Sequence, residues 1–333
     1  MKSDMDRVRV LVVDDSPFMR RALRKMLERS PYIRVVGEAA NGALAIEQVE
    51  ALRPDVVTMD VKMPVMDGLT ALQRIMCKCP TAVVMLSSVT GAGGEQTLRA
   101  LEMGAVDFID KSAADGAMEI GVIADELVSK VLMAAQVDVR KLASCQEEHG
   151  AAPLPAVKIQ PKVSELLLIG TSTGGPSALQ EILGKLPASF PLPILVVQHM
   201  PVGFTRALAE RLDRLSQLEV AEATDGETLQ PGHAYIAKAG FHLLVQRQGG
   251  KLRLKLDQEP EDTLHRPSVD LLFASAAEAV GERVFAVVLT GMGRDGAEGA
   301  RAIKGAGGRI IVESEESAIV FGMPRAVMEE VSV

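Results

Sequence analysis

The chain has 333 residues, more than one hydrophobic core ordinarily supports, so two domains are expected. Hydrophobic residues make up 47% and charged residues 24%, the balance of a globular protein, and a net charge of −8 argues against a nucleic-acid binder. No apolar run reaches the roughly 20 residues of a membrane helix, the charged start MKSDMDRVRV lacks a signal-peptide core, and three cysteines with a Cys-Lys-Cys spacing fit neither a disulfide framework nor a zinc site, so a cytoplasmic protein without membrane insertion is expected. In chain order, VRVLVVDD (8–15) predicts a buried strand ending in two carboxylates, followed by a helix with Ser16 as N-cap and Pro17 in its first turn. VVGEA (35–39), DVVTMD (55–60), TAVVMLSS (81–88) and VDFIDK (106–111) continue an alternation of strand and helix, with GALAIEQVEAL (42–52) as the second helix. That order predicts a five-stranded doubly wound parallel sheet whose site lies at the strand carboxyl ends.

Asp14, Asp15, Asp60, Ser87 and Lys111 all fall at those ends. Three carboxylates brought together repel and raise one another's pKa, a cost that a hard cation removes. Carboxylates with retained waters suit Mg²⁺, and VKMPVMDG after Asp60 can add a backbone carbonyl. VLVVDDSPFMRRAL, MDVKMPVMDG, MLSS and DFIDK together resemble a response-regulator receiver domain over about residues 7 to 130. The resemblance implies that Asp60 accepts a phosphoryl group from a histidine kinase of the chemotaxis type. It implies Mg²⁺ held by Asp14, Asp15 and Asp60, with Ser87 and Lys111 meeting the new phosphoryl oxygens. Ser112 stands where receivers usually carry proline.

DVRKLASCQEEHGAAPLPAVKIQPKV (138–163) has three prolines, mixed charge and no sustained period. The expected division is therefore 1–135, a linker at 136–163, and a second α/β domain at 164–333. That domain opens with a strand, ELLLIG (165–170), running into TSTGGPSALQEILGKL, where leucines and isoleucine recur at helical spacing. Ser172 thus sits at a strand-to-helix turn, with glycines for close backbone approach and Pro176 at a first helical position. Backbone N–H groups at such a helix start can meet an oxyanion. By itself, a serine in such a loop is more often a capping or phosphate-cradle residue than a nucleophile.

A nucleophilic serine needs a base, and the base an orienting acid. His199 closes the apolar strand PILVVQH (193–199), and Asp295 follows the strand VFAVVLTG (284–291) in MGRDGAEG, so both fall at the same sheet edge as Ser172. His149 lies in the linker, His233 in a turn, His242 at the start of a hairpin strand and His265 in a loop. A mainly parallel sheet with one antiparallel hairpin is expected. IGTSTGGPSAL, VVQHMPVGFTRALAERL, DGETLQPGHAYIA, HRPSVDLLFASAA, VVLTGMGRDGAEG and ESAIVFGMPRAVME, in this order, resemble the chemotaxis protein-glutamate methylesterases, the CheB family. The resemblance implies Ser172 as nucleophile, His199 as general base and then acid, and Asp295 as orienting carboxylate, with no cofactor for the ester hydrolysis. It implies methylated glutamates, and glutamines to be deamidated, on the cytoplasmic helices of methyl-accepting chemoreceptors. Thr173 and Met292 N–H groups are the expected oxyanion donors.

Arg294 and Lys238 depart from the family pattern, Arg294 as a cation able to compete for Asp295. Two other readings use the same residues: a phosphate-sink regulator that binds receptors without catalysis, and a serine peptidase. An intact serine, histidine and aspartate set argues against the first, and no processing segment or specificity pocket is legible for the second.

Overall fold

The computed structural model describes residues 7–87, 91–111, 120–144 and 164–332, and the chain divides into two compact units at His149/Gly150. In the first, β1 (Val8–Val13), β2 (Ile33–Ala39), β3 (Val56–Asp60), β4 (Ala82–Ser87) and β5 (Asp107–Asp110) alternate with α1 (Pro17–Leu27), α2 (Gly42–Leu52), α3 (Gly68–Lys78), α4 (Gly91–Glu102) and α5 (Ile120–Ala134). All pairs are parallel and the order is β2-β1-β3-β4-β5. The order reverses between β1 and β3, which is where such sheets open a crevice. β3 and β4 are buried on both faces, as continuous apolar runs demand. Ser16 caps α1, its side chain accepting from the Met19 N–H, with Pro17 at the first helical turn. Val139–Ser144 forms a short helix, α6, inside the stretch expected as linker, and its Leu142 is buried. Residues 145–163, with Cys145 and His149, and also Ser112, lie outside the described residues.

The second unit holds β6 (Leu166–Thr171), α7 (Gly175–Lys185), β7 (Ile194–Gln198), α8 (Phe204–Leu215), β8 (Glu219–Glu222), β9 (His233–Ile236), β10 (His242–Gln248), β11 (Lys251–Asp257), α9 (Val269–Val280), β12 (Val284–Val288), α10 (Ala297–Gly305), β13 (Arg309–Val312) and α11 (Gly322–Glu330). Six strands form one parallel sheet in the order β13-β12-β6-β7-β9-β8. β10 and β11 form the expected antiparallel hairpin, as a separate two-stranded sheet. Leu166, Leu168, Leu195, Val197 and Phe273 centre the core, each fully buried. Burial of each such side chain contributes about 2 kcal/mol, which anchors β6 and β7 in the sheet. Successive strands run outward from β6 in one direction and from β12 in the other, so the switch point lies between them. Among the described residues no helix is long and apolar enough to cross a membrane.

Candidate functional site

In the first unit, the five sequence-predicted residues meet at the carboxyl ends of β1, β3, β4 and β5. One carboxylate oxygen from each of Asp14, Asp15 and Asp60 lies within 4.8 Å of the others. Asp14 and Asp60 are buried and Asp15 is exposed. Lys111 Nζ reaches Asp60 Oδ2 at 2.8 Å and Asp14 Oδ2 at 3.2 Å. Burial pushes the Asp60 carboxyl above its ordinary value, Lys111 opposes that, and the Asp14 charge adds to it. A carboxylate set strained in this way fits a divalent cation, which offsets both desolvation and repulsion. Ser87 Oγ accepts from Thr97 Oγ1 at 2.7 Å, a buried partner on α4 that sequence reading missed.

In the second unit, Ser172, His199 and Asp295 follow β6, β7 and β12, three adjacent strands at the switch point. His199 Nε2 lies 2.7 Å from Asp295 Oδ2. With a carboxylate there, Nε2 carries the ring proton and Nδ1 is left as the basic nitrogen. Nδ1 is buried and meets no hydrogen-bond partner among the described residues, so the Ser172–His199 bond is not made here. Such bonds are often open in the unliganded enzyme and close on substrate. Backbone ties nevertheless fix the two residues side by side. Ser172 N–H donates to Thr290 O at 3.0 Å and His199 N–H to Thr171 O at 3.1 Å. Gln198 Nε2 bridges them, donating to Ser172 O at 2.8 Å and His199 O at 3.0 Å.

The turn after β6 explains its glycines. Gly174, at φ +81°, caps α7 in the left-handed region, and Pro176 stands second in the helix, one place later than expected. A side chain on Gly175 would put its Cβ 1.9 Å from Gln198 Oε1 and 2.5 Å from Thr171 Oγ1. Gly175→Ala therefore forces Gln198 off the Ser172 and His199 carbonyls. Overpacking of this kind costs about 1–3 kcal/mol. Urea unfolding should show that loss, together with slower ester hydrolysis, whereas a stability equal to wild type would refute the contact.

Asp295 is held by four donors. His199 Nε2 and Val269 N–H reach Oδ2, both at 2.7 Å, and Ser268 Oγ and Asp270 N–H reach Oδ1, both at 2.9 Å. Burial pushes its carboxyl upward, but the His199 bond and charge, and then the Asp270 and Val269 N–H groups, outweigh it and hold the group well below the usual carboxylate range. Neighbouring Asp270 goes the other way: burial, and the Asp295 charge beside it, push it up to about 6, against the Gly299 and Gly296 N–H bonds that favour its charge. His265, read from sequence as a loop histidine, stacks on the His199 ring with centroids 4.0 Å apart. Residues 265–270, HRPSVD, thus contact both His199 and Asp295.

Arg294 does not compete for Asp295. It pairs with Glu329 on α11 at 3.1 Å and is 64% exposed. Lys238 lies over the Phe241 ring. Thr173, next to Ser172 in the chain, is buried, and Met292, next to Gly291, is 39% exposed.

Comparison with known proteins follows the same division. A family model described as CheB methylesterase matches residues 167–333, and one described as response regulator receiver domain matches residues 10–120. A protein of Geobacillus kaustophilus named protein-glutamate methylesterase/protein-glutamine glutaminase is 46% identical over 327 residues, covering 98% of this chain and 93% of its own length. The chain belongs to the CheB methylesterase family. A relative of the same name from Thermotoga maritima is 46% identical over 324 residues, covering 97% of this chain and 93% of its own. The crystal structure of the Thermotoga maritima CheB methylesterase catalytic domain is 49% identical, with a TM-score of 0.49, covering 50% of this chain and 88% of that one. As a CheB-type protein the chain is a hydrolase, a phosphorylation-regulated methylesterase that joins a receiver to its esterase domain.

Proposed function

We propose that this chain removes methyl groups from glutamate methyl esters on chemoreceptor cytoplasmic helices through a Ser172, His199, Asp295 mechanism, and deamidates glutamines there in the same way. The 2.7 Å contact of His199 Nε2 with Asp295, which leaves Nδ1 bare just past the strand that neighbours the Ser172 strand, carries this reading. His199 Nδ1 takes the Ser172 proton as Oγ attacks the ester carbonyl. The Thr173 and Met292 N–H groups meet the oxyanion, a donor type worth about 10²–10³ in turnover each. His199 then gives its proton to departing methanol, or to ammonia when the substrate is an amide. Water, deprotonated by the same nitrogen, hydrolyses the acyl-serine, leaving a free glutamate and a restored Ser172.

Asp60 takes the phosphoryl group from a histidine kinase. Asp14, Asp15 and Asp60 would hold Mg²⁺, which when bound supplies neutralising charge for phosphoryl transfer. Phosphorylation adds roughly −1.5 to −2 charge and three acceptor oxygens. Lys111, already on Asp60, and Ser87, on leaving Thr97, meet those oxygens. A small-molecule phosphodonor should therefore raise methanol release by wild type and leave Asp60→Asn unaffected. Equal stimulation of both would refute control through Asp60.

A further inference from the structure

The two helices behind the triad cap one another. Gly296, the N-cap of α10, stands at φ +100° and offers no side chain to its own helix. The missing acceptor comes from α9: Asp270 Oδ1 accepts from Gly296 N–H at 2.9 Å and from Gly299 N–H at 2.7 Å. In return Asp295, one residue before that cap, accepts from Val269 and Asp270 N–H, the first two N–H groups of α9. Ser268 closes the arrangement, accepting from Leu271 N–H as the N-cap of α9 while donating to Asp295. Each carboxylate thus satisfies N–H groups that its partner helix cannot satisfy by itself. The helices must lie close for this. A Cβ on Gly299 would come within 2.5 Å of Phe273 Cβ and 2.9 Å of Asp270 O.

We propose that Asp270 is a positioning residue for the esterase reaction, its carboxylate capping α10 in trans and so holding Asp295 against His199. This rests on the triad reading above. The cap fixes the Gly296 backbone, and the Asp295 side chain departs from the residue before it, so releasing the cap frees Asp295 to move. A displacement of about 1 Å at a catalytic group costs up to ~10²-fold in rate. The acceptor, rather than the charge, does this work. An asparagine oxygen at the same place accepts the same two N–H bonds.

The test uses the full-length protein with phosphodonor and a methyl-esterified receptor. Asp270→Ala should lower kcat by about ten- to a hundredfold with KM unchanged, and Asp270→Asn should restore kcat to within about threefold of wild type. Asp270→Ala at the wild-type rate, or a folded Asp270→Asn as slow as Asp270→Ala, would overturn the assignment. Should Asp270→Ala fail to fold, amide exchange in wild type and Asp270→Asn decides: slow exchange at Gly296 and Gly299 in both supports the cap, and fast exchange in wild type overturns it. Ser172→Ala separates this from the parent reading. If it is inert while Asp270→Ala matches wild type, only the Asp270 assignment fails; if it is active, the triad itself fails.

Discussion

Ser172→Ala should hydrolyse receptor methyl esters roughly 10⁴–10⁶-fold more slowly than wild type while folding normally. Ser172 contributes little to the core, and its neighbours are held through its backbone, which alanine keeps: N–H to Thr290 O, and C=O from Gln198 Nε2 and Gly175 N–H. The variant should therefore melt with wild type. Loss of all turnover in a stably folded chain is the signature of a missing nucleophile, since a residue that only packed would trade activity against stability. Ester hydrolysis by the purified variant, with thermal unfolding alongside, checks both halves. Retained turnover would remove Ser172 from the mechanism.

Asp295→Asn should fall nearly as far, by roughly 10⁴-fold. Val269 N–H faces one carboxylate oxygen and Asp270 N–H the other, so an amide NH₂ meets a fixed donor in either orientation. Turned toward His199, it also forces the proton onto Nδ1, the nitrogen required as base. Turned away, it leaves the imidazolium without a counter-charge. The substitution also changes how stability depends on pH. A carboxyl depressed in the folded state contributes stability that is present above its unfolded pKa, near 3.9, and is lost as pH falls below it. Wild type should lose that contribution in acid, whereas Asp295→Asn lacks it at every pH. Denaturant titrations from neutral pH downward measure the difference, and parallel curves would show that the four donors do not stabilise the Asp295 charge.

Much of the site was legible because parallel α/β sheets place chemistry at strand ends. Apolar runs ending in Asp14, Asp15, Asp60, Ser87 and Lys111 located one crevice, and runs ending near Ser172, His199 and Asp295 located the other. What escaped were contacts between elements far apart in sequence. Asp270 and Gly296 are 26 residues apart and His199 and His265 belong to different segments, so no periodicity links them. Gln198 read as the polar end of a strand, although it ties the Ser172 and His199 backbones together. Helix α6 escaped for another reason. VRKLAS is short and sits amid charge and prolines, and what holds it is tertiary burial of Leu142, which local propensity does not register. Arg294 shows the opposite error. Adjacency to Asp295 in sequence invited a pairing that the turn denies by sending the guanidinium to Glu329.

The most direct measurement is methanol release from membranes carrying methylated chemoreceptors, with wild-type protein assayed with and without a phosphodonor. Release should rise on phosphorylation, with one methanol for each glutamate freed. No release in the presence of phosphodonor would contradict the esterase mechanism.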